Sequence, residues 1–104
     1  MISGDRRSKQ RFPIHLRLQF KAIKRGVVTS AGTGESLNMS SGGVAFRTDE
    51  TLPVGTVINL YISWPIALAG RTAIMLFAEG EVVRKEGRVA GVKISRHEFR
   101  TQKQ

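Results

Sequence analysis

No cysteine occurs anywhere in the 104 residues. That excludes a disulfide scaffold, a thiol nucleophile and any cysteine-held zinc or iron–sulfur centre, and it fits a reducing compartment. Histidine is nearly as scarce: His15 and His97 stand alone, without the spacing that pairs two ligands on a metal. Long apolar runs are missing too. The nearest approach to a membrane span, residues 60–78, is broken by Pro65, Gly70 and Arg71. A spanning helix needs about 20 mainly apolar residues, and an Arg at mid-membrane costs about 2.5–3.5 kcal/mol on insertion scales. The basic start has no apolar stretch behind it, so no signal peptide is read there. No glycine-rich loop runs into Lys and Ser/Thr as a phosphate-cradling loop does. Glu79 and Glu81 share a strand face but have no cleft or nucleophile beside them, which argues against a paired-carboxylate hydrolase. The expectation is a cytoplasmic protein that is not an enzyme, has no membrane span and needs no metal or cofactor.

Acids are also few, eight against 17 Lys and Arg, for a net charge of +9. The excess sits at the front. Residues 1–25 hold Arg6, Arg7, Lys9, Arg11, Arg17, Lys21, Lys24 and Arg25 against Asp5 alone. Such a front end suggests a partner bearing phosphate: nucleic acid, nucleotide or membrane headgroup. With 40% hydrophobic residues the chain can still bury a core, and its length suits one domain.

Periodicity points to strands. After Pro13, the apolar series Ile14, Leu16, Leu18, Phe20, Ala22 alternates with His15, Arg17, Gln19 and Lys21, the period-two mark of a half-buried strand. Residues 26–34 read as a turn-rich connector because of Gly26, Ser30, Gly32, Thr33 and Gly34. Further strands are expected near 35–39, 44–48, 56–64, 73–84 and 89–94, with Ser40-Ser-Gly-Gly43, Asp49–Gly55 and Lys85–Arg88 as the breaks. Ser95 is placed to cap a short helix starting at Arg96. Six short strands separated by turn signals argue for an all-β antiparallel barrel or sandwich, and closure into a barrel leaves no exposed edges. The expected organisation is a flexible basic arm over 1–12, a barrel over 13–95 and a short helix or tail over 96–104.

Two polar motifs flank the strand that follows the arm. Arg7 and Arg11 stand four apart, with Arg6 before them. A guanidinium can grip phosphate or the O6/N7 edge of guanine bidentately. Asn38-Met-Ser40-Ser-Gly-Gly43 offers an amide and a hydroxyl two residues apart at a strand end, beside glycines that admit close backbone approach. Either motif alone suits a solvated tail or an ordinary turn.

Together, in this order and at this distance, they resemble the PilZ family. The resemblance extends through Leu52-Pro-Val-Gly-Thr56, Gly80-Glu-Val-Val-Arg84 and Gly91-Val-Lys-Ile94, about residues 6–95. It implies a six-stranded antiparallel β-barrel that binds cyclic di-GMP on its outer surface. By the match, Arg7 and Arg11 clasp phosphate and guanine, Asn38 and Ser40 bond a guanine, and Gly43 permits the turn. Arg6 holds a position that in such proteins often accompanies a stacked pair of ligands. The implied function is a bacterial second-messenger receptor whose arm responds to ligand and regulates a downstream protein. Two alternatives stand beside it: a basic barrel binding nucleic acid, or a PilZ-like interaction module without ligand. A nucleic-acid face predicts aromatics interleaved with basic residues. The strand over 14–22 instead keeps Phe20 in its aliphatic row, away from Arg17 and Lys21.

Overall fold

The computed structural model describes residues 14–65 and 73–101. They form six strands: β1 (Arg17–Lys24), β2 (Val27–Ser40), β3 (Gly43–Arg47), β4 (Val57–Ser63), β5 (Ile74–Glu86) and β6 (Val89–Thr101). All pairings are antiparallel, and the sheet closes in the order β1-β2-β3-β6-β5-β4, with β4 returning to β1. The expected all-β barrel of six antiparallel strands is thus observed. The expected arm, residues 1–12, lies outside the described residues.

Alternation builds the core. On β1, Leu18, Phe20 and Ala22 point inward while Arg17, Gln19 and Lys21 face solvent. β4 repeats the pattern with Ile58, Leu60 and Ile62, β5 with Ala78 and Val82, and β6 with Ala90 and Val92. Phe46 from β3 meets Phe20 across the interior at a centroid distance of 5.7 Å, and Leu52, from the β3–β4 connection, is also buried in this core.

Two sequence expectations fail. The supposed connector over 26–34 is the first half of β2, and the turn is only Arg25-Gly26. Both turn residues have positive φ, 55° and 78°, the signature of a two-residue type I′ hairpin. Gly32 and Gly34 are not breakers here. A β carbon on Gly32 would come within 2.8 Å of the Phe20 ring, and one on Gly34 within 2.5 Å of the Arg47 carbonyl oxygen. Their absent side chains let large neighbours cross the strand.

The second failure is the helix at Arg96. β6 continues to Thr101, pairing Arg96–Thr101 with Ile74–Glu79. The Ser95 hydroxyl donates to the Glu79 carbonyl oxygen (3.1 Å) instead of accepting from the amides of a helix N-terminus. Arg96 grips the Glu79 carboxylate through Nε and Nη2, both at 3.0 Å. A cap is worth about 1 kcal/mol, too little against a ladder with cross-strand ion pairs and Arg100 stacked 3.9 Å from the Phe77 ring centroid.

Candidate functional site

The site begins with a bulge. Ser36 pairs with Phe46 and Asn38 with Ala45, so Leu37 is an extra residue in β2. Ser36 and Met39 are both buried although they stand an odd number of positions apart, because the bulge resets the side-chain alternation. Asn38 and Ser40 are therefore turned to the outer face. Ser40 pairs with Gly43 across the Ser41-Gly42 turn, and the Gly42 amide donates to the Ser40 hydroxyl oxygen at 3.3 Å.

Gly43 has a different role from the one expected. It opens β3 outside the left-handed region; the positive-φ glycines among the described residues are Gly26, Gly55 and Gly87. A β carbon at Gly43 would lie 3.0 Å from the Val92 carbonyl oxygen. Its bareness serves the close approach of β3 to β6, not the turn.

Beside this hairpin the outer wall carries a shallow cavity of about 280 Å³. Two cross-strand rows define it. One runs Asn38–Ala45–Gly91–Arg84 from β2 to β5, and the other runs Ser40–Gly43–Lys93–Glu81. The β3 member of each row is small, Ala45 or Gly43, and Gly91 of β6 is bare in the first row, while the second row carries Lys93 on β6 and ends on Glu81 of β5. Polar groups stand on both borders. From β2 to β5 the platform spans three inter-strand gaps, about 14 Å at the usual spacing, which suits a flat, nucleotide-sized ligand.

Arg84 and Lys93 were not foreseen as site residues. A bulge at Val83 sets Arg84, not Val83, opposite Gly91. The guanidinium lies along that glycine, since a β carbon there would sit 3.4 Å from Nη2 and 3.5 Å from Nε. Neither cation is in an ion pair among the described residues. The only sequence signal was outward parity on their strands, and the register that brings them to Ser40 is not written in either strand alone. Asn38, Ser40 and Gly43 are brought together as expected. Arg6, Arg7 and Arg11 lie outside the described residues.

The site holds a pair of hydrogen-bonding side chains, a flat floor and two cations. Among the described residues it has no acid–base pair aligned on a nucleophile. Among the described residues no cluster of His, Asp and Glu could hold a metal ion, and no helix is long and apolar enough to cross a membrane.

No curated protein matches the chain. The family model for the PilZ domain does, over residues 5–104. PilZ domains are generally modules that bind cyclic di-GMP, serving as adaptors and not as enzymes. Sharing that match over essentially its whole length, and carrying the outward Asn/Ser hairpin on a closed six-stranded barrel, the chain belongs to the PilZ family.

Proposed function

We propose that this chain is a receptor for cyclic di-GMP, binding it on the platform of Asn38, Ser40, Gly43, Ala45 and Gly91 and regulating a downstream protein in the cytoplasm. The observation that carries the reading is the Leu37 bulge, which turns Asn38 and Ser40 outward beside a shallow cavity that Ser40, Arg84 and Lys93 line. The Asn38 amide offers a donor and an acceptor to a guanine edge, and the Ser40 hydroxyl bonds base or phosphate. Arg7 and Arg11 close on the phosphates and the second base from the amino-terminal side. Arg6 extends that grip, favouring a stacked pair of ligands.

Magnitudes support a moderate affinity. Charge-assisted hydrogen bonds contribute about 1.5–3 kcal/mol each, and a bidentate Arg–guanine pair about 1–3 kcal/mol. Fixing the residues of the arm costs about 1–2 kcal/mol apiece. A net of about 8 kcal/mol corresponds to micromolar binding.

Calorimetry with cyclic di-GMP, run beside single-stranded oligonucleotides at two salt concentrations, tests the reading. Micromolar binding of the dinucleotide with a stoichiometry of one or two is expected, together with its loss in Arg7→Ala and Arg11→Ala. Preferential binding of the oligonucleotide, or normal dinucleotide binding by both variants, overturns it. The nucleic-acid alternative has one candidate face, where Lys21, Tyr61, Phe77 and Arg100 adjoin on the outer wall. Phe77 is only 4% exposed there, and Arg96 and Arg100 are bonded to Glu79 and Glu98. That face is closed on itself.

A further inference from the structure

Val27, Val28, Val54 and Val57 gather at one end of the barrel, and each is between 49% and 63% exposed. Apolar residues scattered singly over a surface need no explanation, but a contiguous group rimmed by polar residues marks an interaction site. The register makes this group contiguous. Val28 of β2 pairs with Ile23 of β1, and Ile23 pairs with Val57 of β4. The row faces outward, since Ile23 shares the parity of Arg17, Gln19 and Lys21, and Val57 precedes the buried Ile58. A bulge at Thr29 sets Val28, not Thr29, opposite Ile23.

Three β-branched side chains side by side span two inter-strand gaps, about 10 Å. Being stiff about χ1, they lose little rotamer freedom when a partner covers them. Beside Ile23 and Val57, the β3–β4 connection with Pro53 and Val54 walls a shallow hollow of about 560 Å³.

The surround is cationic. Lys21 lies two residues before Ile23 on the same face, while Lys24 and Arg25 follow it in the wall of the hollow. None of the three is in an ion pair among the described residues. The acids nearest in the register, Glu79 and Glu81, already have Arg96 and Lys93 as cross-strand partners. Arg25 takes the first turn position at φ 55°, where a type I′ hairpin prefers Asn, Asp or Gly. A cation stands there against the local preference.

We infer that this wall docks an acidic amphipathic segment of a partner protein, with its apolar side chains over Val28, Ile23 and Val57 and its carboxylates against Lys21, Lys24 and Arg25. A second copy of the chain fits worse, because it brings the same cations face to face. A lipid surface also fits worse, because interfacial anchors use Trp, Phe and Leu, whereas the exposed apolar residues here are valines. In the closed order β1-β2-β3-β6-β5-β4, the ligand platform centres on the β3–β6 seam and the valine row on the β4–β1 seam. The two lie on opposite walls and can be occupied together. The inference rests on the receptor reading only in giving this surface to the downstream protein; the docking stands without it.

Random peptides displayed on phage, selected on the full-length wild-type chain and depleted on the Val28→Glu/Val57→Glu variant, test the surface. The selected set is expected to be rich in Asp, Glu and aliphatic residues. A synthetic copy of one such peptide should shift the NMR amide signals of Ile23, Val28 and Val57. It should bind Lys24→Glu about ten-fold more weakly than the wild type. Arg25→Asn should also weaken it while keeping the turn, since Asn-Gly suits a type I′ hairpin. Both valines are exposed, so the double variant should keep the wild-type thermal transition; if it unfolds, the NMR map and the two cation variants decide. No peptide that distinguishes the two chains, or a set without an acidic excess, overturns the docking. So does valine-dependent sedimentation with vesicles of anionic phospholipid, or valine-dependent dimerisation in sedimentation velocity. A peptide that cyclic di-GMP displaces sits on the platform and counts against the opposite wall. Failure of the chain to bind cyclic di-GMP overturns the receptor reading and leaves the peptide results to judge the docking.

Discussion

Ser36 is a hydroxyl buried in the wall of an apolar barrel, and it earns that position through its bonds. Its Oγ donates to the Ile14 carbonyl oxygen (2.5 Å) and accepts from the Leu16 amide (2.7 Å), while its own amide donates to the Leu16 carbonyl oxygen at 2.8 Å. One residue thus ties Ile14–Leu16 to the barrel just after the basic arm. Ser36→Ala leaves the Ile14 carbonyl and the Leu16 amide without these partners, at a cost of about 1–3 kcal/mol. Urea unfolding should show that loss, and calorimetry should show weaker cyclic di-GMP binding because the root of the arm is loosened. Arg84 contrasts with it. Exposed and outside the core, it can be removed without a stability penalty beyond about 0.5 kcal/mol. Arg84→Ala should nonetheless weaken ligand binding about ten-fold, the equivalent of one charge-assisted bond. A calorimetric titration that finds Arg84→Ala indistinguishable from the wild type removes this residue from the site. Asn38 and Ser40 were singled out in the sequence through the resemblance that both motifs carry together, since Asn, Ser and Gly at this spacing alone suit an ordinary turn. Arg84 and Lys93 were not, since an outward cation on a strand looks the same whether or not a ligand lies over it.

At the scale of elements, β1 was the most readable, since five apolar residues at every second position admit no helical face. β2 was half lost. Its Gly, Ser and Thr content resembles a loop, and the reason for its glycines, the Phe20 ring and the Arg47 carbonyl oxygen lying across them, exists only after folding. The C-terminal half of β6 was lost for a related reason. Ser95 followed by Glu98 is a fair local helix start, and only the opposing Glu79 and Phe77 of β5 make a strand the better state. The ion pair there is also a probe of pH. Hydrogen bonds from Arg96, with its charge and that of Arg100 adding to them, lower the Glu79 pKa from its ordinary value against a smaller opposing desolvation. A carboxyl depressed in the folded state stabilises fully above its ordinary pKa, and that contribution is lost as pH falls through the lowered folded value. Acid unfolding of the wild type should therefore steepen in that window below the ordinary carboxylate range. Arg96→Gln should flatten it and lose the same contribution at neutral pH, a small one because the pair is solvent-exposed and screened. Equal acid slopes in the two proteins would show that the pair has no net effect.

For the molecule as a whole, the proposed reading sets the closing cations and the barrel ladders in different parts of the chain. Among the described residues, the six ladders that close the barrel run from Arg17 to Thr101. The positive charge is concentrated in the opposite way, with Arg6, Arg7, Lys9 and Arg11 all ahead of the first strand. Removing residues 1–11 should consequently leave the cooperative thermal transition in place, shifted by no more than a few degrees, because the hydrophobic core and every ladder remain. On the proposed reading, the same truncation should abolish cyclic di-GMP binding, since a dianionic ligand would lose the Arg7 and Arg11 guanidinium groups assigned to it. Salt should act in the same direction on the intact chain: raising ionic strength shortens the Debye length from about 10 Å at 0.1 M to about 3 Å at 1 M, weakening binding while the apolar core holds. A truncated chain that still binds with wild-type affinity would locate recognition wholly on the barrel wall, and would make the basic front end irrelevant to the ligand.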